Sequence, residues 1–249
     1  MDLPEPSTEA VAALAPTGTL RAAINLSNFL LVTGKSEAGN PEGVSPDMAA
    51  ALAERLGVGL ELLKYKSPGE VADDGNSGRW DIGNIGAEPQ RAVHIDFTAA
   101  YSEIEATYLV RGDSGLTSIE EVDQPGRRIV APARAAYGLW LERNITKAEL
   151  ILLDDMGAAY QTWVDQGIDA LGGLRPGLLA DQERTPGSVI LDGRFATVQQ
   201  AMGTPKERDP AGFEYLGRFV EAAKASGLVA ELVDRHGVTG RLAVAPPAG

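Results

Sequence analysis

Residues 80–111 read WDIGNIGAEPQRAVHIDFTAAYSEIEATYLVR, and the rest of the chain is arranged around this stretch. It predicts a short strand over 81–85, a turn relieved by Gly83 and Gly86, and a polar arm carrying Arg91. A second strand follows, in which Ile104, Ala106, Tyr108 and Val110 alternate with polar neighbours. An arginine on such an arm points a fixed cation at an anion held over exposed backbone amides.

Upstream, Ser7 is placed to cap a short helix that Pro16 stops, and Gly18 turns the chain into a strand over 20–26. Residues 25–32 leave the carboxyl end of that strand, the end at which parallel sheets bind ligands. Ser45 reads as the N-cap of the next helix, with Pro46 at its first position, Met48, Leu52 and Leu56 on one face, and Gly57 as terminator. A strand over 60–65 follows, then a weak helix of at most two turns over 68–78.

Downstream the alternation restarts. A box-like Thr117-Ser118-Ile119-Glu120 precedes a strand over 128–131, a helix over about 135–143 and a strand over 150–153. Asp154 reads as the cap of a helix that Gly167 ends, before strands over 168–171 and 189–191 with a helix after Pro176 between them. Such alternation calls for a second α/β lobe with its own parallel sheet. Asp209 and Pro210 open a long apolar-faced helix, a shorter one covers 228–235, and the Pro-rich 245–249 is expected to fray.

The chain has 249 residues, 44% of them apolar, enough for one large domain or two lobes, and the pattern favours two. A formal charge of −13 without a run of basic residues argues against nucleic acid or an anionic membrane as partner. Absent cysteine excludes disulfides and thiolate chemistry. His94 and His236 lack ligand spacing, and no P-loop, nucleophile elbow or dinucleotide fingerprint occurs, so neither a metal nor a cofactor is expected. No run of about 18 apolar residues is present to span a membrane. Residues 1–15 carry neither the charge nor the apolar length of an export signal, so the chain as written is expected to stay in the cytoplasm. A trimmed mature form would instead sit in the periplasm or at the cell surface.

Trp80-Asp81, Arg91, Asp96-Phe97-Thr98 and Tyr101, together with Glu42 to Asp47 (EGVSPD) and Lys224 to Gly227 (KASG), resemble the family 3 bacterial solute-binding proteins over residues 18–235. The resemblance implies the type II periplasmic-binding-protein fold: two α/β lobes with mixed, mostly parallel sheets, joined by two crossing strands and closing over a ligand. Lobe 1 is then 1–108 with 201–249, and lobe 2 is 109–200. It also implies a monomer that binds a small anionic molecule, with an ABC permease as partner if the chain is exported.

By the same resemblance Arg91 grips the ligand carboxylate, assisted by backbone amides of the turn from Asn84 to Gly86. Phe29, in the loop with Asn28, forms a wall. In the second lobe the helix start at Arg134, Ala135 and Ala136 offers free amides, with Tyr137 beside them. Arg175 is either a cleft cation or a solvated helix-start residue. One of Gln199 and Gln200 faces the cleft; Gln199 is carried as the candidate. Tyr101, Tyr108 and Tyr137 serve as packing or as contacts, and Glu103 and Glu105 share a strand face, either as a catalytic carboxylate pair or, the favoured reading, as solvated or hinge-bonding carboxylates.

The sequence departs from the family where an acid normally pairs with a ligand ammonium: residues 169–175 read DALGGLR, placing Leu174 and Arg175 there. The cleft is therefore expected to take a carboxylate without a free α-amino group, unless Glu105 or Asp169 supplies the charge. No catalytic residue is assigned. The alternative is a cytoplasmic enzyme, a dehydratase or other lyase acting on a cyclic or hydroxy carboxylic acid, which the same fold also hosts.

Overall fold

The computed structural model describes residues 3–249, which divide into two compact units. Unit 1 runs to Glu103 and resumes over Gln199–Gly249; unit 2 is Ile104–Val198. The sequence reading puts the two chain crossings slightly later, at 108–109 and 200–201.

In unit 1 the helix α1 (Thr8–Leu14) is capped by Ser7, whose hydroxyl accepts from the Ala10 amide. The strand β1 (Thr19–Asn25) follows, then the two-residue strands β2 (Gly34–Lys35) and β3 (Pro41–Glu42), paired as a small hairpin. The helix α2 (Val44–Leu56) begins two residues earlier than Ser45 capping would allow. Its N-cap is Gly43, at φ 151°, where a Cβ would lie 2.3 Å from the Leu31 carbonyl oxygen. Only glycine passes so close to another backbone segment at that angle. Ser45 is consequently inside the helix and buried, and its amide donates to the Leu31 carbonyl.

The strand β4 (Gly59–Tyr65) and the short helix α3 (Pro68–Asp73) lead through a 3₁₀ turn to β5 (Ile82–Gly86). A second 3₁₀ turn carries Arg91, and β6 (Ile95–Arg111) starts nine residues before the predicted alternation. From Ala106 to Val110 both faces of β6 are buried, so the one-face pattern expected there does not hold.

Unit 2 continues with a 3₁₀ turn at residues 119–121 whose capping box uses Ser118 and Glu121, one position beyond the predicted Thr117 and Glu120. The order is then β7 (Arg128–Pro132), α4 (Ala136–Asn144), β8 (Glu149–Leu153), α5 (Met156–Gln166), β9 (Ala170–Leu174), α6 (Arg175–Arg184) and β10 (Ser188–Ile190). Asp155, not Asp154, caps α5 by accepting from the Ala158 amide. The parallel strands β9, β7 and β8 lie side by side, and β6 runs antiparallel along β9 with Ala106 opposite Leu174. Trp163, Ala159, Ile168 and Leu178 pack on Leu109, Val130 and Leu171 to form the core.

The chain returns through β11 (Ala196–Pro205) to α7 (Pro210–Ala225), α8 (Leu228–Arg235) and the short β12 (Ala243–Val244). The strand order of unit 1 is β4, β1, β5, β11, β6, with β1 parallel to both β4 and β5 and β11 antiparallel to β5. Its core includes Trp80, Val71, Ile85 and Ile95. The tail is not frayed. β12 pairs with Ser102 and Glu103, the Ala245 amide donates to Tyr101, and the Lys224 ammonium holds the Pro246 carbonyl at 2.8 Å. These backbone bonds on a buried strand replace the solvation that would let a Pro-rich end move.

Candidate functional site

The carboxyl ends of β1 and β5 lie together in unit 1, with Ile24 opposite Asn84. Beyond β1 the loop folds on itself: Asn25 Oδ1 accepts from the Ser27 amide and hydroxyl, and Asn28 Oδ1 accepts from the Leu30 amide. Asn28 is thus a buried loop organiser, and Phe29 projects outward with 37% of its surface exposed. An exposed aromatic on a locally fixed loop is suited to pack against a ligand.

At the end of β5 the Gly86 carbonyl accepts from Arg91 Nη1 at 2.7 Å, and Arg91 is buried at 4% exposure. A guanidinium is rigid and planar with five donors, so an anchor at one nitrogen fixes the aim of the rest. Asn84, by contrast, turns its side chain inward and donates from Nδ2 to the Ser45 carbonyl at 3.0 Å. It ties β5 to α2. The Ala87 amide donates to the Gln199 carbonyl, and Gln199 Nε2 donates to Glu103 Oε1 at 2.9 Å. Gln200, level with Gly86, is the buried member of the pair.

In unit 2 the candidates gather at the carboxyl ends of β7 and β9. Ala135 is the N-cap of α4 and has no capping side chain, so first-turn amides have no partner within the helix. Arg134 just before it is exposed. Tyr137 is buried at 4% exposure, and burial pushes its phenol above the ordinary range, with Asp181 adding to the effect. Arg175 opens α6 and is not a solitary cation. Its Nε donates to Glu105 Oε2 at 2.9 Å and its Nη2 to the Gly193 carbonyl.

The other Glu105 oxygen accepts from Arg194 Nη1 at 2.8 Å. Desolvation opposes ionisation of Glu105, but hydrogen bonds from Arg194 and Arg175 outweigh it and hold the carboxyl below its usual range. No local sequence pattern singles out Arg194, which lies in an irregular loop. The bond from the Phe195 amide to the Ala106 carbonyl brings that loop beside Glu105. Phe195 also stacks on Tyr108 and Trp140, with ring centroids 4.6 and 5.3 Å apart. Asp169 sits at the amino end of β9, bonded to Arg127 Nη1 and to the Arg128 amide at 2.9 Å each. Leu174, nearly buried, closes the opposite end.

Among the described residues no group of three metal-ligating side chains occurs, and no helix is long and apolar enough to cross a membrane. His94 faces Asn76, and His236 faces Asp47.

Two α/β units, each built on parallel strands, make up the type II periplasmic-binding-protein fold. The model of the bacterial extracellular solute-binding proteins, family 3, matches residues 28–239, and the chain belongs to that family. The cyclohexadienyl dehydratase of Pseudomonas aeruginosa is 24% identical over 232 residues, covering 88% of this chain and 82% of the relative. Among solved structures, a putative ABC-transporter binding component from Wolinella succinogenes, complexed with lysine, is 22% identical with TM-score 0.72, covering 88% of this chain and 95% of that one. The cysteine-binding protein of Campylobacter jejuni is 17% identical with TM-score 0.72, covering 92% and 93%. At these identities the structures share the fold.

Proposed function

We propose that the protein captures a small carboxylate-bearing solute that has no free α-amino group, and releases it unchanged. The observation that carries this reading is the state of the acids around the end of β9. Leu174 stands where the family resemblance puts the ammonium-pairing acid, Glu105 is shared by Arg175 and Arg194, and Asp169 is bonded to Arg127 at the other end of the strand. An ammonium buried without a counter-charge costs several kcal/mol, enough to discriminate strongly against amino acids. Arg91, anchored on Gly86, grips the carboxylate in this reading, and Phe29 packs on the solute body.

Two measurements test it. In a thermal-shift panel, keto and hydroxy acids at a hundred times their dissociation constant should stabilise the fold by about 2.7 kcal/mol. The matching amino acids should not; saturable stabilisation by a standard amino acid alone would sink the claim. In calorimetry, Arg91→Ala should weaken solute binding by roughly 1.5–3 kcal/mol, the worth of a charge-assisted contact. Unchanged affinity would remove Arg91 from the site.

The curated relative's name favours a second reading, a dehydratase. That chemistry needs a group able to give a proton at neutral pH. Leu174 cannot, and Glu105 is held ionised by its two arginines. Binding without turnover is therefore preferred, and product formation from a cyclic carboxylic acid by the purified protein would reverse the order.

Family membership supports a location outside the cytoplasmic membrane, in place of the cytoplasmic expectation read from residues 1–15. An ABC permease is then the natural partner, as for the Wolinella succinogenes binding component.

A further inference from the structure

Each unit has an outer strand, and the two are built differently. In unit 1 it is β4, which carries the exposed Glu61 and Lys64, with the Lys64 ammonium donating to the Gly39 carbonyl at 2.8 Å. In unit 2 it is β8, which among the described residues pairs with β7 alone. Residues 150–153 of β8 read LILL, without the charge, proline or bulge by which sheet edges avoid pairing.

In a parallel ladder one residue turns both backbone groups to one neighbour and the next residue turns both to the other side. The Glu149 amide donates to the Arg127 carbonyl and the Ala133 amide donates to the Leu153 carbonyl, so residues 149, 151 and 153 serve β7. The amides and carbonyls of Leu150 and Leu152 therefore point away from β7, toward the open edge. The side chains from Leu150 to Leu153 are only half-buried, those of Ile151 and Leu153 resting on the core of unit 2. Such an edge is a template for a further strand.

We infer that β8 pairs with β8 of a second copy of this chain, antiparallel about a twofold axis at Ile151, in place of the monomer that the family resemblance implies. Leu150 then faces Leu152 of the second copy and exchanges both backbone hydrogen bonds with it, and the reciprocal pair doubles the set. The same register sets Lys147 opposite Asp155 of the second copy at each end, and both residues are exposed. Centring the axis on Leu152 would oppose Glu149 to Asp155, a like-charge pair, and centring it on Leu150 would part Lys147 from Asp155. This match of β8 to itself, in charge as well as in apolar contact, selects a second copy over an unrelated extended segment. The pairing does not depend on which solute the protein binds.

The experiment is sedimentation velocity from low micromolar to submillimolar concentration, with melting curves to show that each variant is folded. The unmodified protein should pass reversibly from the 26.2 kDa monomer to twice that mass. Leu152→Pro removes an amide that β7 does not use, so it should leave the fold in place and weaken the dimer by about tenfold or more. Lys147→Glu should weaken it several-fold, and adding Asp155→Asn, which keeps an acceptor for the Ala158 amide, should restore part of that loss. Lys64→Glu makes the same charge change on β4 and should leave the dimer unaltered. If Leu152→Pro does not fold, Lys147→Glu and its partial rescue decide. A monomer at every concentration would overturn the pairing and leave the edge to an extended segment of another protein. A dimer that Lys147→Glu leaves intact, or that Lys64→Glu weakens equally, would overturn it too, as would growth into ever larger species, because a twofold pair closes on itself.

Discussion

Asp81→Ala is expected to destabilise the protein by about 3–5 kcal/mol, the usual cost of removing one partner of a buried ion pair. Asp81 is fully buried, and its two oxygens receive four hydrogen bonds. Oδ2 takes the Arg21 amide and Nε at 2.9 Å each; Oδ1 takes Arg21 Nη2 at 2.8 Å and Arg208 Nη2 at 2.9 Å. The arginine side chains are only 23% and 21% exposed, so alanine would leave two guanidinium groups largely shielded from water without their counter-ion. The triad also joins three parts of unit 1: Arg21 on β1, Asp81 before β5, and Arg208 between β11 and α7. Urea denaturation read by tryptophan fluorescence would report it through Trp80, which is buried beside Asp81. Asp81→Asn should lose less, because one acceptor oxygen survives. A loss below about 1 kcal/mol in Asp81→Ala would place the triad with solvated surface pairs instead.

Gly138→Ala should be nearly as damaging, at about 3 kcal/mol or more. A Cβ at Gly138 would sit 1.8 Å from the Pro132 carbonyl oxygen, 3.0 Å from its carbon and 3.3 Å from the Ala133 carbonyl oxygen. These are backbone atoms of the strand end, so no rotamer change relieves the clash. The first turn of α4 must shift by roughly an ångström, which exceeds the 1–3 kcal/mol typical of overpacking against movable side chains. The shift would also carry the amides of Ala136 and Tyr137 away from their places beyond Ala135. Melting temperature and solute affinity should therefore fall together. An alanine variant with unchanged melting and binding would show that α4 does not need this close approach.

The sequence was informative where a local pattern determines a local result. Ser7, Asp209 and the glycines at 57 and 167 mark helix ends because a cap needs only its neighbours to be satisfied. The order of the longer strands and helices is legible in the periodicity, though the two-residue strands β2, β3 and β12 are not, and the family is legible in the motifs around Arg91. Ser-Pro-Asp is a good helix start by itself, yet Ser45 lies inside α2. The register is set instead by Gly43 passing against Leu31, which no local pattern encodes.

The charge state of unit 2 was a tertiary decision. Arg175, Glu105 and Arg194 are separated by 70 and 89 residues along the chain, and only antiparallel pairing of β6 with β9 and the Phe195–Ala106 bond put them on one carboxylate. The tail, polar and Pro-rich by composition, is held because β6 presents free backbone groups at Ser102 and Glu103. Caps, turns and amphipathic faces are short-range and so are written in the sequence. Ion-pair partners depend on which distant segments the folded sheet brings within 3 Å, a length at which one residue of register decides between attraction and solvation.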